Sequence, residues 1–296
     1  MTGRQRLLRA GRAVEAAVLR GLWRVFAALP VDTASAIGGA LGRAVGPRLP
    51  LSNRARASLR RVFPWWTPAE RERVVRGMWD NLGRAAGEFP HVPALVAGDG
   101  TRVTVSGTEH LAALRDDGAP GILFTAHIGN WEVGACAAAH HGLPLHVVYR
   151  AANNPRTDAL INANRHGYAR TLIPKGRSGA RAMADALRRG GHLGVLVDQK
   201  MNDGIAVPFL GRAAMTGPAV AAFARHHGCP LVPLRVIRTH GAHFHVAVEP
   251  PVPVAHTEDR ERDLHTTMAR VNAVIGRWIT EHPEQWLWLH RRWGKE

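Results

Sequence analysis

The sequence predicts an α/β protein in which a helical N-terminal part is followed by a mixed, mostly parallel sheet flanked by helices. Two observations support this fold class. Residues 1 to about 95 have the periodicity of helices separated by Gly and Pro. From about residue 100, short β-branched runs alternate with helical stretches that end in glycine. Such alternation is typical of a sheet with helices packed on its faces. We therefore divide the chain into residues 1–95 and 96–296.

The composition indicates a folded protein with a substantial core. The 296 residues suffice for one large domain or two modest ones. Because 46% of the residues are hydrophobic and 21% are charged, an intrinsically disordered chain is excluded. The two cysteines, Cys136 and Cys229, cannot form a disulfide framework, which agrees with a reducing compartment.

The chain is strongly basic, with a net charge of +16, and all but three of its 39 basic residues are arginines. Genomic codon bias is one source of the arginine share, but it explains the net charge less well. Guanidinium groups bind phosphate and carboxylate bidentately, so an anionic partner is expected. The arginine clusters "RQRLLRAGR", "NRARASLRR" and "HRRWGK" lack a helix-turn-helix, zinc-finger or stacking-sheet signature. We therefore expect no nucleic acid partner.

The first helix is predicted within "AVEAAVLRGLWRVFAALP". Glu15, Arg20 and Arg24 interrupt this segment, so it lacks the roughly 20 apolar residues of a membrane-spanning helix. It also lacks the features of a cleaved signal peptide. At helical spacing one face carries Val14, Val18, Leu22, Val25, Phe26 and Leu29. Two interpretations stay open: a helix lying in a membrane interface, or a helix packed on the core.

Two further helix starts are predicted in the N-terminal part. Asp32 has the character of an N-cap before a small-residue stretch. Thr67, Pro68 and Glu70 form a capping pattern in which Thr67 is the N-cap. Near the C-terminus, a helix over about 259–282 is expected to end at Pro283. The tryptophans and arginines that follow it suit either a membrane interface or core packing.

The strands of the second part are predicted at "TRVTVSG", "GILFTA", "LHVVYR", "LGVLVD", "PLVPLRVIR" and "FHVAVEP". Helices are predicted at "TEHLAALRDDG", "NWEVGACAAAHHG" and "ARAMADALRRGG", each with a glycine C-cap. In such folds the functional face lies at the carboxyl ends of the strands.

The stretch "FTAHIGNWE" contains the strongest candidate site. The preceding strand delivers His127 at its carboxyl end, Asn130 is a plausible N-cap, and Glu132 falls in the first helical turn. From the loop, the imidazole of His127 can fold back onto the Glu132 carboxylate, leaving its other nitrogen to act as a general base. Gly129 permits close approach of a substrate, and the surrounding amides are candidate oxyanion donors. By spacing alone, a structural histidine remains the alternative.

"HIGNWE" resembles the H-x4-D/E motif of glycerolipid-type acyltransferases, and its glutamate form with "GNW" is similar to the late acyltransferases of lipid A biosynthesis. The resemblance extends to "VVYRAANNP", "LIPKGRSGARAMADALRRGGHLGVLVDQK", "VPFLGRAAMTGPAVAAFAR" and "HPEQWLWLHRRW". It implies a glycerol-phosphate-acyltransferase-like fold. It also implies transfer of a fatty acyl chain from acyl carrier protein to a hydroxyl of a lipid A precursor, with His127 as base and Glu132 as its orienting acid.

The resemblance also implies roles for residues at other strand ends. Arg150 maps onto the arginine of the family, near a substrate phosphate or the developing oxyanion. Asp198 lies on the same active face, where it orients substrate or is a buried structural aspartate. Lys175 and Arg177 contact phosphate or lie in a solvated loop. The cysteines are expected in the core, because a thioester substrate needs no acyl-enzyme intermediate.

No cofactor is expected, since acyl carrier protein thioester or acyl-coenzyme A is a co-substrate. No metal is expected either: His240, His243 and His245 lack a fourth ligand at fitting spacing. Alternatives are an acyl-coenzyme A-dependent enzyme of another glycolipid or phospholipid, and a non-catalytic basic membrane- or nucleic-acid-binding protein. The expected location is the cytoplasmic face of the bacterial inner membrane, with residues 1–95 helping to bind the membrane surface.

Overall fold

The computed structural model describes residues 3–294, and the side chains of residues 9–294. Met1, Thr2, Lys295 and Glu296 therefore lie outside the described residues, as do the side chains at positions 4 to 8 of the first arginine cluster. The helices of the N-terminal part are α1 (Gly3–Ala28), α2 (Val31–Val45), α3 (Ser52–Val62), α4 (Pro68–Glu88) and α5 (Val92–Ala97).

Two of the expected helix starts have different outcomes. Helix α4 begins with the predicted capping box, in which the Thr67 side chain accepts from the Glu70 amide and the Glu70 carboxylate accepts from the Thr67 amide. The prediction for Asp32 is wrong, because α2 begins at Val31 after Pro30. Asp32 lies in the first helical turn and forms a bidentate ion pair with Arg102 instead.

Helices α2 and α4 contact each other through their backbones. A Cβ atom added at Gly38 would lie 2.2 Å from the Gly83 carbonyl oxygen, and one at Gly42 would lie 2.1 Å from the Trp79 carbonyl oxygen. Any larger residue at these positions would force the helices apart. This close approach explains the small-residue stretch of α2.

The remaining elements form the sheet and its flanking helices. The strands are β1 (Val103–Ser106), β2 (Gly121–Thr125), β3 (His146–Tyr149), β4 (Thr171–Pro174), β5 (His192–Leu196), β6 (Lys200–Phe209), β7 (Arg212–Thr216), β8 (Leu231–His240) and β9 (His243–Val248). The helices are α6 (Thr108–Asp116), α7 (Trp131–His140), α8 (Pro155–Arg165), α9 (Arg177–Arg188), α10 (Ala219–His227) and α11 (Arg260–Glu281).

Seven strands form one sheet in the order β1-β9-β8-β2-β5-β3-β4. All neighbouring pairs in it are parallel except β8 and β9. Strands β6 and β7 form a separate antiparallel hairpin, which the sequence reading missed. The predicted fold class is confirmed: a helical N-terminal part precedes a mixed, mostly parallel sheet flanked by helices.

One hydrophobic core joins the two parts of the chain. Leu59 of α3 and Met78 of α4 belong to the same buried cluster as Phe124 of β2 and Trp278 of α11. Trp286, which follows α11, is also in this cluster and is 1% exposed. The tryptophans at 286, 288 and 293 are thus core residues. The division at residue 95 stays a prediction.

Helices α1 and α2 expose apolar side chains. On α1, Val14, Val18, Leu22 and Val25 are between 46% and 65% exposed, whereas Phe26 packs inward. On α2 and the turn after it, the exposed residues are Ile37, Leu41, Val45 and Leu49. The structure therefore leaves most of the predicted apolar face of α1 unpacked. Within residues 3–294, no helix is long and apolar enough to cross a bilayer.

Candidate active site

The site forms where two adjacent parallel strands end. Strands β2 and β5 pair with Thr125 opposite Leu196, so the residues that follow them emerge side by side. His127 comes two residues after Thr125, and Asp198 comes two residues after Leu196. The carboxyl edge of the sheet therefore brings an imidazole to a carboxylate.

His127 is held by two hydrogen bonds to Asp198. The backbone N–H of His127 donates to Oδ2 of Asp198 at 2.9 Å, and Nδ1 of the imidazole lies 2.8 Å from Oδ1. Because an ionised carboxylate only accepts, Nδ1 carries a proton and donates a hydrogen bond to Asp198. In the neutral form of this ring the lone pair is on Nε2, which lies 3.4 Å from the side-chain amide nitrogen of Gln199. The lone pair of Nε2 can accept a proton.

Asp198 is the buried acid of the site. It is fully buried, and its Oδ2 also accepts from the indole Nε1 of Trp286 at 2.8 Å. Burial by itself raises the pKa of Asp198, but the attraction of a protonated His127 and the hydrogen bonds from its ring and amide lower that pKa below the ordinary aspartate value. Asp198 is therefore ionised at neutral pH and fixes the orientation and tautomer of His127.

The expected hydrogen bond between His127 and Glu132 is absent from the part of the chain that the structure describes. The carboxylate of Glu132 accepts hydrogen bonds from Nη2 and Nε of Arg165. It also accepts one from the Tyr168 hydroxyl at 2.7 Å. Helix α7 begins at Trp131, which directs Glu132 toward α8 and the residues after it rather than back to the loop. The pairing is corrected: Asp198, not Glu132, is the carboxylate partner of His127.

Gly129 and Asn130 shape the loop instead of facing a substrate. Gly129 has φ of +58°, and a Cβ atom there would lie 2.2 Å from the Val236 carbonyl oxygen, so β8 is what approaches it closely. Its N–H donates to the Gln285 carbonyl, and the Ile128 N–H donates to the Ala126 carbonyl. With the His127 amide bound to Asp198, the amides of residues 127 to 129 are all committed. None of these three amides is free in this structure, and an oxyanion site around Gly129 stays a prediction.

A buried polar network clamps this loop onto the N-terminal part. Asn130 occupies the predicted N-cap position of α7, yet its side chain donates to Glu88 at 2.9 Å. Glu88 forms a buried, bidentate ion pair with Arg238. Asn81 accepts from Arg238 and donates to the Gly129 carbonyl. Helix α4 thus supplies two of the side chains that fix the position of the site loop.

Three predicted basic residues lie at the same edge of the sheet. Arg150, after β3, is exposed and donates to the Asn153 side chain at 3.2 Å. Lys175, after β4, is exposed overall, although its ammonium nitrogen lies over the sheet edge, 3.5 Å from the Leu196 carbonyl oxygen. Burial lowers the pKa of Lys175, while the charge of Asp198 opposes that shift. Arg177 begins α9, where it is exposed and has no hydrogen bond or ion pair within residues 9–294.

His290 is a site residue that the sequence reading missed. Its ring packs against that of His127 with 4.8 Å between centroids, and its Nε2 is buried without a hydrogen-bond partner in the described structure. Burial and the charge of His127 lower the pKa of His290 to about 4, against the opposing effect of Asp198. His290 is therefore neutral at physiological pH. The only sequence signal was its presence in the "HPEQWLWLHRRW" block.

One group of side chains within the described residues has the arrangement of metal ligands. Ligand atoms of His127, Asp198 and His290 lie within 4.8 Å of one another. However, Nδ1 of His127 and both oxygens of Asp198 are already engaged in hydrogen bonds. We assign no metal to this group, and a metal-free site stays a prediction.

A narrow apolar cavity lies behind Trp131. It has a volume of about 50 Å³ and lies between α7 and strands β2, β3 and β5. Trp131 lines the cavity and packs edge-on against the His127 ring at 5.0 Å between centroids. Glu132 and Arg165 form a polar part of the wall, and the rest is mainly aliphatic. The cavity can hold an apolar group next to the base.

The cysteines have no part in the site. Cys136 and Cys229 are both buried and unpaired, and burial raises the pKa of each thiol to about 11. Thiols with such a pKa remain protonated at neutral pH and are poor nucleophiles.

A histidine held by a buried aspartate at the carboxyl ends of a mostly parallel sheet, close to an apolar cavity, suits proton abstraction from a hydroxyl that attacks an apolar substrate. The model of the bacterial lipid A biosynthesis acyltransferase family matches residues 1–295 of the sequence. The chain belongs to this family and is an acyltransferase.

Relatives with known names agree with the family assignment. A lipid A biosynthesis acyltransferase of Haemophilus influenzae is 22% identical over 282 residues, which cover 90% of this chain and 83% of the relative. The lipid A biosynthesis myristoyltransferase of Escherichia coli is 26% identical over 260 residues, covering 84% and 77%. Among solved structures, the 1-acyl-sn-glycerophosphate acyltransferase of Thermotoga maritima matches 96% of this chain and all of its own, with 13% identity and a TM-score of 0.41.

Proposed function

We propose that this protein transfers a fatty acyl chain from the thioester of acyl carrier protein to a hydroxyl of a lipid A precursor, with His127 as the general base. The observation that carries the proposal is the His127 imidazole, held through Nδ1 by Asp198 and packed against Trp131 of an apolar cavity, in a chain of the lipid A acyltransferase family. Asp198 is the residue that orients the base, in the role that the sequence resemblance gave to Glu132.

The reaction requires two proton transfers: one from the acceptor hydroxyl to His127, and one from His127 to the leaving thiolate. Nε2 of His127 takes the proton of the acceptor hydroxyl as its oxygen attacks the thioester carbonyl. The resulting imidazolium is stabilised by the ionised Asp198. The tetrahedral oxyanion collapses, the carbon–sulfur bond breaks, and the leaving thiolate takes the proton from His127. The products are an ester and a free thiol, and no acyl-enzyme forms.

Positive and neutral donors around the base are available to the oxyanion. The ammonium nitrogen of Lys175 lies over the sheet edge, and Arg150 lies at the adjacent strand end. His290 presents an unpartnered ring nitrogen. Because backbone amides 127 to 129 are committed, we assign stabilisation of the oxyanion to these side chains. Arg177, exposed at the start of α9, is assigned to the phosphate of the acceptor.

We assign the cavity beside Trp131 to the fatty acyl chain. Its lining is mainly aliphatic, and Trp131 connects it to the His127 ring. An acyl chain buried there would hold its thioester carbonyl near Nε2. The Glu132–Arg165–Tyr168 cluster would then support the wall of the acyl cavity rather than the base.

The charge and the exposed apolar residues of the surface support the choice of acyl donor and a contact with the membrane. A net charge of +16 favours docking of an acidic carrier protein. The exposed apolar residues of α1 and α2 favour contact with the membrane surface, since arginines such as Arg20 and Arg24 lie on the same helix as the valines of α1. We therefore propose that the protein acts on the cytoplasmic face of the bacterial inner membrane.

Mass spectrometry of a detergent reaction tests the proposal. Purified protein is incubated with acyl carrier proteins bearing different chain lengths and a Kdo-bearing lipid A precursor, alongside His127→Ala. The expected product is heavier by one acyl group and is lost in the variant. Transfer from acyl-coenzyme A to a phospholipid or to a phosphatidylinositol mannoside, with none to the lipid A precursor, would replace this donor and acceptor by the alternatives.

A further inference from the structure

A second concave site lies at the opposite edge of the sheet, where β3 and β5 begin. We call it the amino-edge pocket, and it encloses about 850 Å³ including its opening. Its polar side chains are Arg115, His146, Arg170, Arg189 and His192, and none of its lining residues is acidic. Five basic side chains therefore surround one concavity.

Two of these arginines have no partner. Arg115 is engaged, because it binds Asp116 bidentately at 2.7 Å and donates to the His141 carbonyl. By contrast, the guanidinium groups of Arg170 and Arg189 make no hydrogen bond or ion pair with any residue between 9 and 294. Two guanidinium groups at one concavity repel each other, and this repulsion is relieved when an anion binds between them.

The two histidines add directed hydrogen-bonding groups. Nδ1 of His146 lies 2.7 Å from the Thr171 hydroxyl, which leaves Nε2 of that ring for another partner. Burial lowers the pKa of both imidazoles; the charges of Arg170 and Arg189 lower that of His146 further, while a hydrogen bond to the Leu114 backbone and the charge of Asp117 oppose the shift of His192. A neutral imidazole whose Nε2 carries the proton can donate a hydrogen bond to a phosphate oxygen.

The backbone leaves space for a ligand. Gly190 has φ of +73°, and a Cβ atom at Gly191 would lie 2.7 Å from Nε2 of His146. A larger residue at position 191 would therefore displace the His146 ring. The turn between α9 and β5 thus fixes the position of the buried imidazole in the pocket wall.

The pocket is remote from the catalytic histidine. His192 begins β5 and Asp198 follows its end, so six residues of extended chain, about 20 Å, separate them. An anion in the amino-edge pocket cannot contact the reacting groups at His127.

We propose that the amino-edge pocket binds a compact multivalent anion of the phosphate-ester class, separately from the catalytic site. Guanidinium groups of Arg170 and Arg189 clamp the phosphate oxygens, and Nε2 of His146 completes the hydrogen bonds. The phosphate belongs either to a soluble ligand or to a lipid headgroup.

Calorimetry with inorganic pyrophosphate, using the full chain at 150 mM salt, tests this proposal. The double variant Arg170→Gln/Arg189→Gln is compared with Arg73→Gln/Arg260→Gln, which removes the same charge from exposed arginines outside the pocket. We expect one molecule bound per chain. Because each charge-assisted pair contributes roughly tenfold, the pocket variant should bind about 100-fold more weakly, and the control should bind like wild type.

Absence of binding to the wild-type chain, or equal weakening in both double variants, would overturn the proposal, since a diffuse basic surface would then explain the affinity. A vesicle-binding experiment distinguishes a soluble ligand from a lipid headgroup. If pyrophosphate releases the wild-type chain from phosphatidic acid vesicles and the pocket variant binds them weakly, the ligand is a headgroup. If the pocket variant loses pyrophosphate binding but keeps vesicle binding, the ligand is soluble. Neither result depends on acyl transfer.

Discussion

The variant Asp198→Asn tests which of two carboxylates, Asp198 or Glu132, orients His127. Three N–H groups converge on Asp198: the backbone amide and Nδ1 of His127, and Nε1 of Trp286. An asparagine side chain offers one oxygen and one NH2 group. The oxygen satisfies two donors only at the Oδ2 position, so the NH2 group faces Nδ1 of His127. The ring must then accept at Nδ1 and carry its proton on Nε2, which removes the lone pair that serves as base.

The expected loss follows from that change of tautomer. General-base catalysis contributes about 10²- to 10⁴-fold, and removing the buried acid of a Ser-His-Asp triad costs about 10⁴ in kcat. We expect Asp198→Asn to lower kcat by about 10²- to 10⁴-fold with little change in KM. The shape of the side chain is retained, so circular dichroism and thermal unfolding should report a folded protein.

The matched variant is Glu132→Gln, which leaves the His127–Asp198 hydrogen bonds intact and weakens the cluster with Arg165 and Tyr168. Breaking a buried ion pair typically costs about 3–5 kcal/mol, so this variant should lose thermal stability and alter KM for the acyl donor. Steady-state kinetics of the two variants show which carboxylate orients His127. Near-wild-type kcat in Asp198→Asn, together with a loss of at least about 10²-fold in Glu132→Gln, would refute the assignment of Asp198.

His127→Ala should abolish most transfer while leaving the unfolding temperature nearly unchanged; a fully active purified variant would exclude the base. His290→Phe should lower kcat more than His290→Gln, which retains a donor, and equal rates would leave His290 a packing residue. Because the pKa of His290 is about 4 in the folded chain and about 6.5 unfolded, its neutral form contributes stability that is lost as pH falls from 6.5 to 4. The loss is up to about 3 kcal/mol. His290→Gln should therefore lose less of its neutral-pH stability in acid than the wild-type protein loses. Glu88→Gln leaves Arg238 without its buried partner and should cost about 3–5 kcal/mol in urea unfolding. Val18→Asp should reduce vesicle co-sedimentation without changing turnover in detergent, and unchanged sedimentation would argue against α1 as a membrane contact.

Local sequence patterns were sufficient for many elements. The capping box at Thr67 and the end of the last helix before Pro283 depend only on neighbouring residues, and both are confirmed. The six quoted strands all appear in the sheet. The β6–β7 hairpin was missed because its glycines and mixed burial hide the alternation. The N-cap prediction for Asp32 failed because α2 begins one residue earlier, after Pro30, and the carboxylate of Asp32 pairs with the distant Arg102.

In the candidate site, too, local patterns were sufficient for some residues and long-range contacts decided the others. Sequence motifs pointed to His127 and placed Asp198 at the same edge, but the choice of carboxylate depended on where Glu132 points. That direction is set by the tertiary contacts of α7 with Arg165 and Tyr168, which lie 33 and 36 residues away. No local pattern encodes such contacts.

The sequence by itself determined the α/β class and the family and pointed to His127 as the candidate base, because these depend on periodicity and on motifs that are contiguous along the chain. The tertiary structure decided the partner of that histidine and the position of His290 beside it. The reason is geometric: β2 and β5 are adjacent in the sheet although about 70 residues separate His127 from Asp198. Only the strand order brings the base, its acid and the C-terminal segment to one point.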